Sequence, residues 1–431
     1  MKSKKLLPLF FVLACALALV LGSCGGGGGS QKKAGDSITL QVWHIWPDSL
    51  TGEGATINKF VKQFNEAHPN IIIQQDSSET ESYKTKLKTA FAGGDLPDVY
   101  FSYGSGFSKP FVETGRVMRL DTEYPAAVLE RLMPGTDANA WYDGKLYGLP
   151  LKMWAGTLYA NTALFEKYNL KVPATWDELI QVSKDFRKAG LQPLCLGAKD
   201  GWHIAMYFDQ IALREVGVDG IIDAMNGRKK FTDPEFLAAA EKLRELIDAG
   251  GFMNGFMGLG AQEAQAEFFM GKIPLYFNGS WLTGDVQNPD NQIKDIVNPY
   301  PFPDIPGGKG AGTYTGGAID IWSVSNETKH KAESLQFMQE LCEFMSVEGY
   351  KAGDGIAVWK NNVSAAELNP VLNKINTNLE TAKGYSLAWD TQLSGADIDT
   401  YLKNLQALAG GQLSPRQFTE ALQNGLSVAM K

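Results

Sequence analysis

Tryptophan is the residue type whose number and placement most strongly suggest chemistry in this chain. Several tryptophans follow predicted strands or lie in glycine-rich turns, which is where the loops around a binding cleft begin. Aromatic rings pack on flat, weakly polar faces, and neighbouring Asp, Asn, Glu or Arg side chains bond the hydroxyls around such faces. The pattern therefore indicates a site for a sugar-like molecule. The ten tryptophans are Trp43, Trp46, Trp141, Trp154, Trp176, Trp202, Trp281, Trp322, Trp359 and Trp389.

The sequence lacks the motifs of several enzyme classes. It contains no His-Glu-x-x-His and no Gly-x-Ser-x-Gly pattern, and the Gly271-Lys272 pair is followed by Ile273 rather than the Ser or Thr of a Walker A loop. The histidines form no closely spaced pair, so we predict neither a metal site nor a cofactor. Acidic pairs are frequent, and their spacing does not show whether two of them face one cleft. A glycosidase therefore stays open as an alternative.

Length and charge narrow the classes of protein. The 431 residues are too many for one compact domain and suit two or three. The net charge is −8, and it becomes −11 without the first 23 residues, which hold three lysines and no acid. A surface this acidic makes nucleic acid an unfavourable partner, because binding phosphates requires a basic face.

The N-terminal region has the pattern of a secreted lipoprotein. Three lysines precede the apolar run Leu6–Leu21, which is shorter than the roughly 20 residues that cross a bilayer. The run ends at Leu21-Gly22-Ser23-Cys24, which resembles the lipobox of bacterial lipoproteins, and this resemblance implies a lipidated Cys24. We expect a signal peptide over residues 1–23, then the lipidated cysteine and a glycine-rich tether over 24–36. The body would lie in the cell envelope, on the periplasmic or extracellular face. The alternative is an ordinary signal peptide with an unmodified cysteine.

Cysteine use in the body agrees with this scheme. Only Cys195 and Cys342 remain beyond the tether, the first in an apolar strand-like run and the second on the apolar face of a predicted helix. We interpret them as two buried thiols rather than a disulfide.

The body alternates predicted strands and helices. The segments Ile38–Trp43 and Ala318–Val324 read as strands, and Thr175 with Glu178 forms a capping box that begins a helix. Asn326 is predicted to cap another helix. This alternation predicts an α/β architecture with mostly parallel sheets, whose ligands bind at the carboxyl ends of strands.

Six segments together resemble the extracellular solute-binding proteins of family 1, the sugar receptors of ABC importers. They occur in family order from about residue 38 to the C-terminal region, and each is loose when taken alone. The segments are FNEAHPNI (Phe64–Ile71), AFAGGDLPDVYF (Ala90–Phe101), YDGKLYGLPL (Tyr142–Leu151), LYANTALFEKYNLKVPATWDEL (Leu158–Leu179), AEFFMGKIPLYFNGSW (Ala266–Trp281) and GGQLSPRQFTEAL (Gly410–Leu422).

The resemblance implies a two-lobed periplasmic-binding-protein-like fold with a hinge between the lobes. About three crossing strands would join the lobes, which close on ligand. The N-terminal lobe would comprise residues 37–150 plus 314–365. The C-terminal lobe would comprise residues 151–313 plus 366–431.

The resemblance also implies ligand-binding residues. Trp281 leaves a strand where the family has a sugar-stacking ring, and Ser102 stands where the maltose-binding member has a tryptophan, which argues against maltodextrin. Glu79 follows the second strand and is suited to accept sugar hydroxyls. The full set of candidates is His44, Trp46, Glu79, Ser102, Tyr103, Trp154, Trp202, Trp281, Tyr314, Gly317, Trp389 and Asp390.

The function implied is that of a lipid-anchored, monomeric receptor that binds a mono- or oligosaccharide and passes it to the permease subunits of an ABC transporter. Two alternatives stay open. One is a surface lipoprotein glycosidase or other polysaccharide-processing enzyme, since aromatic rings and acids would look alike there. The other is a receptor of the same fold for a non-sugar ligand such as a polyamine or a chelated metal.

Overall fold

The computed structural model describes residues 37–47 and 52–430, in which strands and helices alternate along most of the chain. The predicted signal peptide, Cys24 and the tether lie outside these residues. The strands are β1 Ile38–His44, β2 Ile71–Ser77, β3 Val99–Tyr103, β4 Trp141–Tyr142, β5 Lys145–Leu146, β6 Leu149–Asn161, β7 Leu194–Cys195, β8 Leu275–Gly279, β9 Val297–Tyr300, β10 Tyr314–Val324 and β11 Tyr385–Ser386.

Helices connect most of the strands of the described chain, and several of these helices are single turns. The α-helices are α1 Gly52–Ala67, α2 Thr80–Gly93, α3 Lys109–Glu113, α4 Ala126–Leu129, α5 Thr162–Lys167, α6 Trp176–Lys188, α7 Gly201–Val216, α8 Val218–Met225, α9 Pro234–Asp248, α10 Ala261–Phe269, α11 Thr283–Val286, α12 Lys331–Phe344, α13 Tyr350–Ala352, α14 Pro370–Leu379, α15 Trp389–Gln392, α16 Ala396–Ala409 and α17 Pro415–Gly425.

One sheet organises the molecule. Its strand order is β2-β1-β3-β10-β6-β8-β7, with β11 also paired to β10 and β9 also paired to β6. The expectation of mostly parallel sheets is wrong: the outer pairs β1–β2, β1–β3 and β7–β8 are parallel, whereas β10 and β6 run antiparallel to their neighbours on this path. The reason is that β6 and β10 each carry the chain from one half of the sheet into the other.

The crossing strands approach each other closely because glycine replaces side chains at the contact. Gly316 pairs with Ala155, and Gly317 pairs with Trp154. Gly316 has φ +151°, and a Cβ there would lie 2.2 Å from the carbonyl oxygen of Trp154. Any other residue would push β10 away from β6. The register shifts between Gly317 and Asp320, so the crossing also contains an irregularity of the bulge type.

Helix signals in the sequence account for some boundaries and not for others. The capping box at α6 is present, with Thr175 accepting from the Glu178 amide at 3.4 Å and Glu178 bonding back to the Thr175 amide. Asn326 does not cap α12, which begins five residues later and follows His330. Instead, the Asn326 amide donates to the carbonyl of Arg116, so this residue belongs to a turn between elements.

The hydrophobic core lies on both faces of the sheet, which is what two-sided covering by helices requires. Cys195 and Cys342 are both buried free thiols, which confirms that they form no disulfide. Trp176 is fully buried, with its indole N–H donating to Glu245 at 2.8 Å. Trp141 is 38% exposed, and its indole N–H donates to Asp137 at 2.7 Å. Among the described residues, no helix combines the length and apolar composition needed to cross a bilayer.

Candidate functional site

A single large cleft gathers many of the chemically suited side chains. It has a volume of about 580 Å³ and is bounded by the ends of β1, β3 and β8 and by the middle of β6 and β10. Helices α1, α2, α7, α10, α11 and α15 contribute further lining residues. Six of the sequence-predicted residues line it, namely Trp46, Tyr103, Trp154, Trp202, Trp281 and Asp390.

Trp154 and Trp281 form one aromatic corner of the cleft. Their ring centroids are 4.9 Å apart with an interplanar angle of 73°, which is the edge-to-face arrangement that aromatic pairs favour. Gly279 makes room for this corner, because a Cβ at that position would lie 2.0 Å from the Trp281 ring. The strand end β8 therefore has to finish in glycine for the Trp281 side chain to fold back over it.

Trp46 forms a second aromatic wall just beyond β1. Its ring lies edge-on to Phe101 at 4.8 Å and near Trp322 at 6.4 Å. Its indole N–H donates to the carboxylate of Glu53 at 2.7 Å, and its backbone amide donates to Nδ1 of His44 at 3.3 Å. The ring is thus held from two sides.

A cluster of charged side chains, which we call the floor cluster, lies under these rings. It consists of Glu53, Lys152, Asp320 and Asp354. The Lys152 ammonium bonds the Glu53 carboxylate and lies 3.6 Å from Asp320. Asp354 accepts from the Thr56 hydroxyl at 2.5 Å, while its other carboxylate oxygen is buried without a partner.

Burial sets the protonation of the floor cluster. Removal from water raises the pKa of Glu53 to about 8, although Lys152 opposes the rise. The same cause raises the pKa of Asp354 to about 6 and also raises that of Asp320. Burial is the largest single influence on the pKa of Lys152 and lowers it. The acidic neighbours of Lys152 together raise this pKa by more, so the net change is a rise. The floor cluster therefore keeps its cation at neutral pH.

A second charged group, which we call the rim cluster, consists of Glu81, Lys84 and Asp390. Lys84 on α2 lies 3.0 Å from Glu81 and 3.5 Å from Asp390 on α15. Its ammonium is also 5.3 Å from the centroid of the Tyr103 ring. Burial raises the pKa of the Asp390 carboxyl, against the opposing effect of Lys84.

Four predicted residues lie away from the cleft surface. His44 is buried behind Trp46, where burial lowers its pKa to about 4, so it acts as a neutral support for the Trp46 backbone. Ser102 is buried and shares a 2.7 Å hydrogen bond with Ser108. Tyr314 lies beside Tyr385 at 6.1 Å, and Glu79 is exposed without lining the cleft.

Trp389 and Gly317 require a correction, because neither lines the cleft. Trp389 is 1% exposed and packs against Phe208, Phe231 and Tyr401 with centroids 5.4–5.7 Å away, so its ring belongs to the hydrophobic core. Gly317 has φ +147°, and a Cβ there would meet Leu387 at 2.7 Å. Its lack of a side chain makes room for the Leu387 side chain.

The sequence reasoning missed the charged partners of the aromatic rings. Lys152 and Asp320 are each a single charge inside an otherwise apolar strand, in LPLKMW and in AIDIW. A charge at such a position is costly unless it is paired, and that was the available signal. Glu53 and Lys84 carry no comparable signal, since each lies in a helix with ordinary polar neighbours. Within the described residues, no group of His, Cys, Asp and Glu has the arrangement of a metal site.

Comparisons with known proteins show which family has this architecture. The family model for bacterial extracellular solute-binding proteins matches residues 47–346. An uncharacterized ABC transporter extracellular-binding protein of Pyrococcus horikoshii is 30% identical, with 83% of each chain covered. A structure from work on xylan utilization by the thermophilic bacterium Caldanaerobius polysaccharolyticus is 38% identical, with a TM-score of 0.86 and coverage of 90% of this chain and 99% of that one.

A chitin oligosaccharide binding protein gives a further structural match. It is 26% identical with a TM-score of 0.81, and the match covers 90% of this chain and 98% of that one. Both neighbours share the two-lobed α/β fold, which agrees with the sheet whose strands cross from one half to the other. The cleft lies where those strands cross, and the family model matches residues 47–346, which is more than half of the chain. The chain therefore belongs to the bacterial extracellular solute-binding protein family.

Proposed function

We propose that this protein is an envelope receptor that captures a carbohydrate in its cleft and delivers it to the permease subunits of an ABC importer. The observation that carries the proposal is the cleft itself, whose lining combines aromatic rings with carboxylates and side-chain amides. Its volume of about 580 Å³ falls within the range of about 300–1,000 Å³ typical of small-ligand sites. The chitin oligosaccharide binding protein and the structure from work on xylan utilization support a saccharide ligand.

The mechanism we propose is a population shift. Ligand that touches both lobes stabilises the closed form relative to the open form, and the transporter recognises the closed form. We assign residues 37–150 plus 314–365 to one lobe and 151–313 plus 366–431 to the other. The exchange of strand partners along β6 and β10 near Ala155 and Gly316 supports this division.

No bond is made or broken in this proposal. The similar proteins are binding proteins, and the acids nearest the aromatic rings, Glu53 and Asp390, are engaged with lysines rather than poised as an acid and base pair across a bond.

A thermal-shift screen of the purified protein tests the proposal. The panel holds mono- and oligosaccharides of xylose, N-acetylglucosamine, glucose and galactose, with a polyamine and a metal chelate as controls. A ligand at a hundredfold excess over its Kd stabilises the folded state by about 2.7 kcal/mol. We expect a lasting rise of the melting midpoint with one sugar class and no product by chromatography. A rise that decays as the sugar is cut would show an enzyme, and a response to the controls alone would overturn the sugar assignment.

We also propose that the receptor is anchored by lipid on Cys24, which lies outside the described residues. The support is the Leu21-Gly22-Ser23-Cys24 sequence and the glycine-rich stretch that follows it. Replacing Cys24 by alanine is expected to move the protein from the membrane fraction to the soluble fraction of cells. A variant that still sediments with membranes, at the wild-type level, would contradict the anchor.

A further inference from the structure

Both lysines that line the cleft are already paired with carboxylates of the chain. Of the described residues that line it, two are lysines, Lys84 and Lys152, and five are acids. Lys152 contacts two carboxylates in the floor cluster, and Lys84 contacts two in the rim cluster. Both lysine side chains are at most 11% exposed, so water does little to screen these pairs.

From this arrangement, which we interpret on the basis of the proposed function, we infer that the cleft selects uncharged carbohydrates and rejects both acidic and cationic ones.

An acidic sugar finds no unpaired cation among the described lining residues. To bind the Lys84 or Lys152 ammonium, its carboxylate would have to displace Asp390 or Glu53 and leave that group buried without a partner. Breaking a buried ion pair in this way is strongly unfavourable. The surplus of acids over lysines around the cleft adds repulsion to the loss.

A cationic ligand meets the opposite obstacle. Ammonium groups bind well over aromatic faces beside carboxylates, but the chain's own lysines already occupy these positions. The Lys152 ammonium lies 5.7 Å from the Trp46 ring centroid and 5.8 Å from that of Trp281. The Lys84 ammonium lies 5.3 Å from the centroid of the Tyr103 ring. A polyamine or amino sugar would have to compete with a tethered ammonium at each of these three rings.

A neutral sugar neither breaks an ion pair of the cleft nor competes with a lysine ammonium for an aromatic ring. A carboxylate has about four acceptor positions, so one that bonds a lysine still accepts from a hydroxyl. The hydroxyls of the sugar therefore bond Asp320 or Asp390 without breaking an ion pair, while its flat faces pack on Trp154 and Trp281. Recognition then depends on shape and hydroxyl geometry alone.

Calorimetric titration with matched ligands tests the inference. One pair is xylotriose bearing a neutral arabinose branch against xylotriose bearing a glucuronate branch, which controls for the size of the branch. The other is chitotriose against its deacetylated, cationic form. For whichever neutral parent binds, we expect the charged partner to bind at least about tenfold more weakly. Equal or tighter binding of the charged partner overturns the inference and leaves the receptor function intact, whereas no response to any saccharide overturns the receptor function.

A charge variant tests the assignment to the rim cluster. Asp390→Asn keeps the shape of the side chain and leaves Lys84 with Glu81 as its remaining carboxylate, so we expect the glucuronate penalty to shrink at least about threefold. The matched control is Glu348→Gln, which removes the acid from the exposed Lys59–Glu348 pair and should leave the penalty unchanged. An unchanged penalty in a folded Asp390→Asn protein overturns the assignment. If that variant does not fold, Lys84→Met serves instead, and it must gain binding of the cationic trimer.

Discussion

Replacing Trp281 by alanine is expected to weaken binding of the carbohydrate by about 30- to 1,000-fold, or roughly 2–4 kcal/mol, the range for a buried aromatic anchor. The ring packs edge-to-face against Trp154 and folds back over Gly279, so both contacts fix it toward the cleft. Its loss removes a stacking surface that no neighbouring side chain replaces. Calorimetric titration with the best-binding sugar measures the effect.

Two control variants separate stacking from folding. Trp281→Phe keeps an aromatic face and should recover at least part of the lost affinity. Trp141→Ala removes a 38% exposed tryptophan outside the cleft lining and should bind sugar as the wild type does. If Trp281→Ala binds the sugar within threefold of the wild type, Trp281 is not a stacking residue.

Replacing Lys152 by methionine is expected to lower the free energy of unfolding by about 3–5 kcal/mol, because it leaves Glu53 and Asp320 buried without their cation. Methionine is similar in length to lysine without its ammonium, so the loss reports charge rather than volume. Denaturant unfolding at neutral pH measures it. The double variant with Asp320→Asn should recover part of the loss, since the position of Asp320 then carries no charge that needs the cation.

The matched control is Lys59→Met. Lys59 also forms an ion pair, at 2.7 Å from Glu348, but its side chain is 52% exposed. An exposed pair contributes about 0–1 kcal/mol, so this variant should unfold almost as the wild type does. Equal losses in the two lysine variants would show that burial does not decide the energy of the floor cluster.

Local signals in the sequence predicted part of this structure well. The α6 capping box and the aromatic positions at the ends of β1, β3 and β8 depend on neighbouring residues, and the structure has them where the pattern indicated. The α/β class also follows from local alternation. The reversal of β10 and β6 does not, because strand direction within a sheet is set by how the chain returns from distant segments.

The errors at the site have the same origin. Trp389 follows the same kind of turn as the cleft tryptophans, and only the packing of Phe208 and Tyr401 around it shows that it belongs to the core. The floor cluster joins Lys152 to Glu53, 99 positions away, and Thr56 to Asp354, 298 positions away. No pattern within one segment shows such a partner.

Trp154 faces the cleft from β6, the strand that also carries the chain from one half of the sheet to the other. A point on the axis of a rotation moves least, so in the proposed closure this ring meets the sugar in nearly the same way before and after the lobes come together. A contact of equal strength in two states holds a ligand without favouring either state. Trp154 would then contribute affinity for the sugar in both the open and the closed form. The preference for the closed form would come from the rings farther from the axis, Trp46 on one wall and Trp202 on the other.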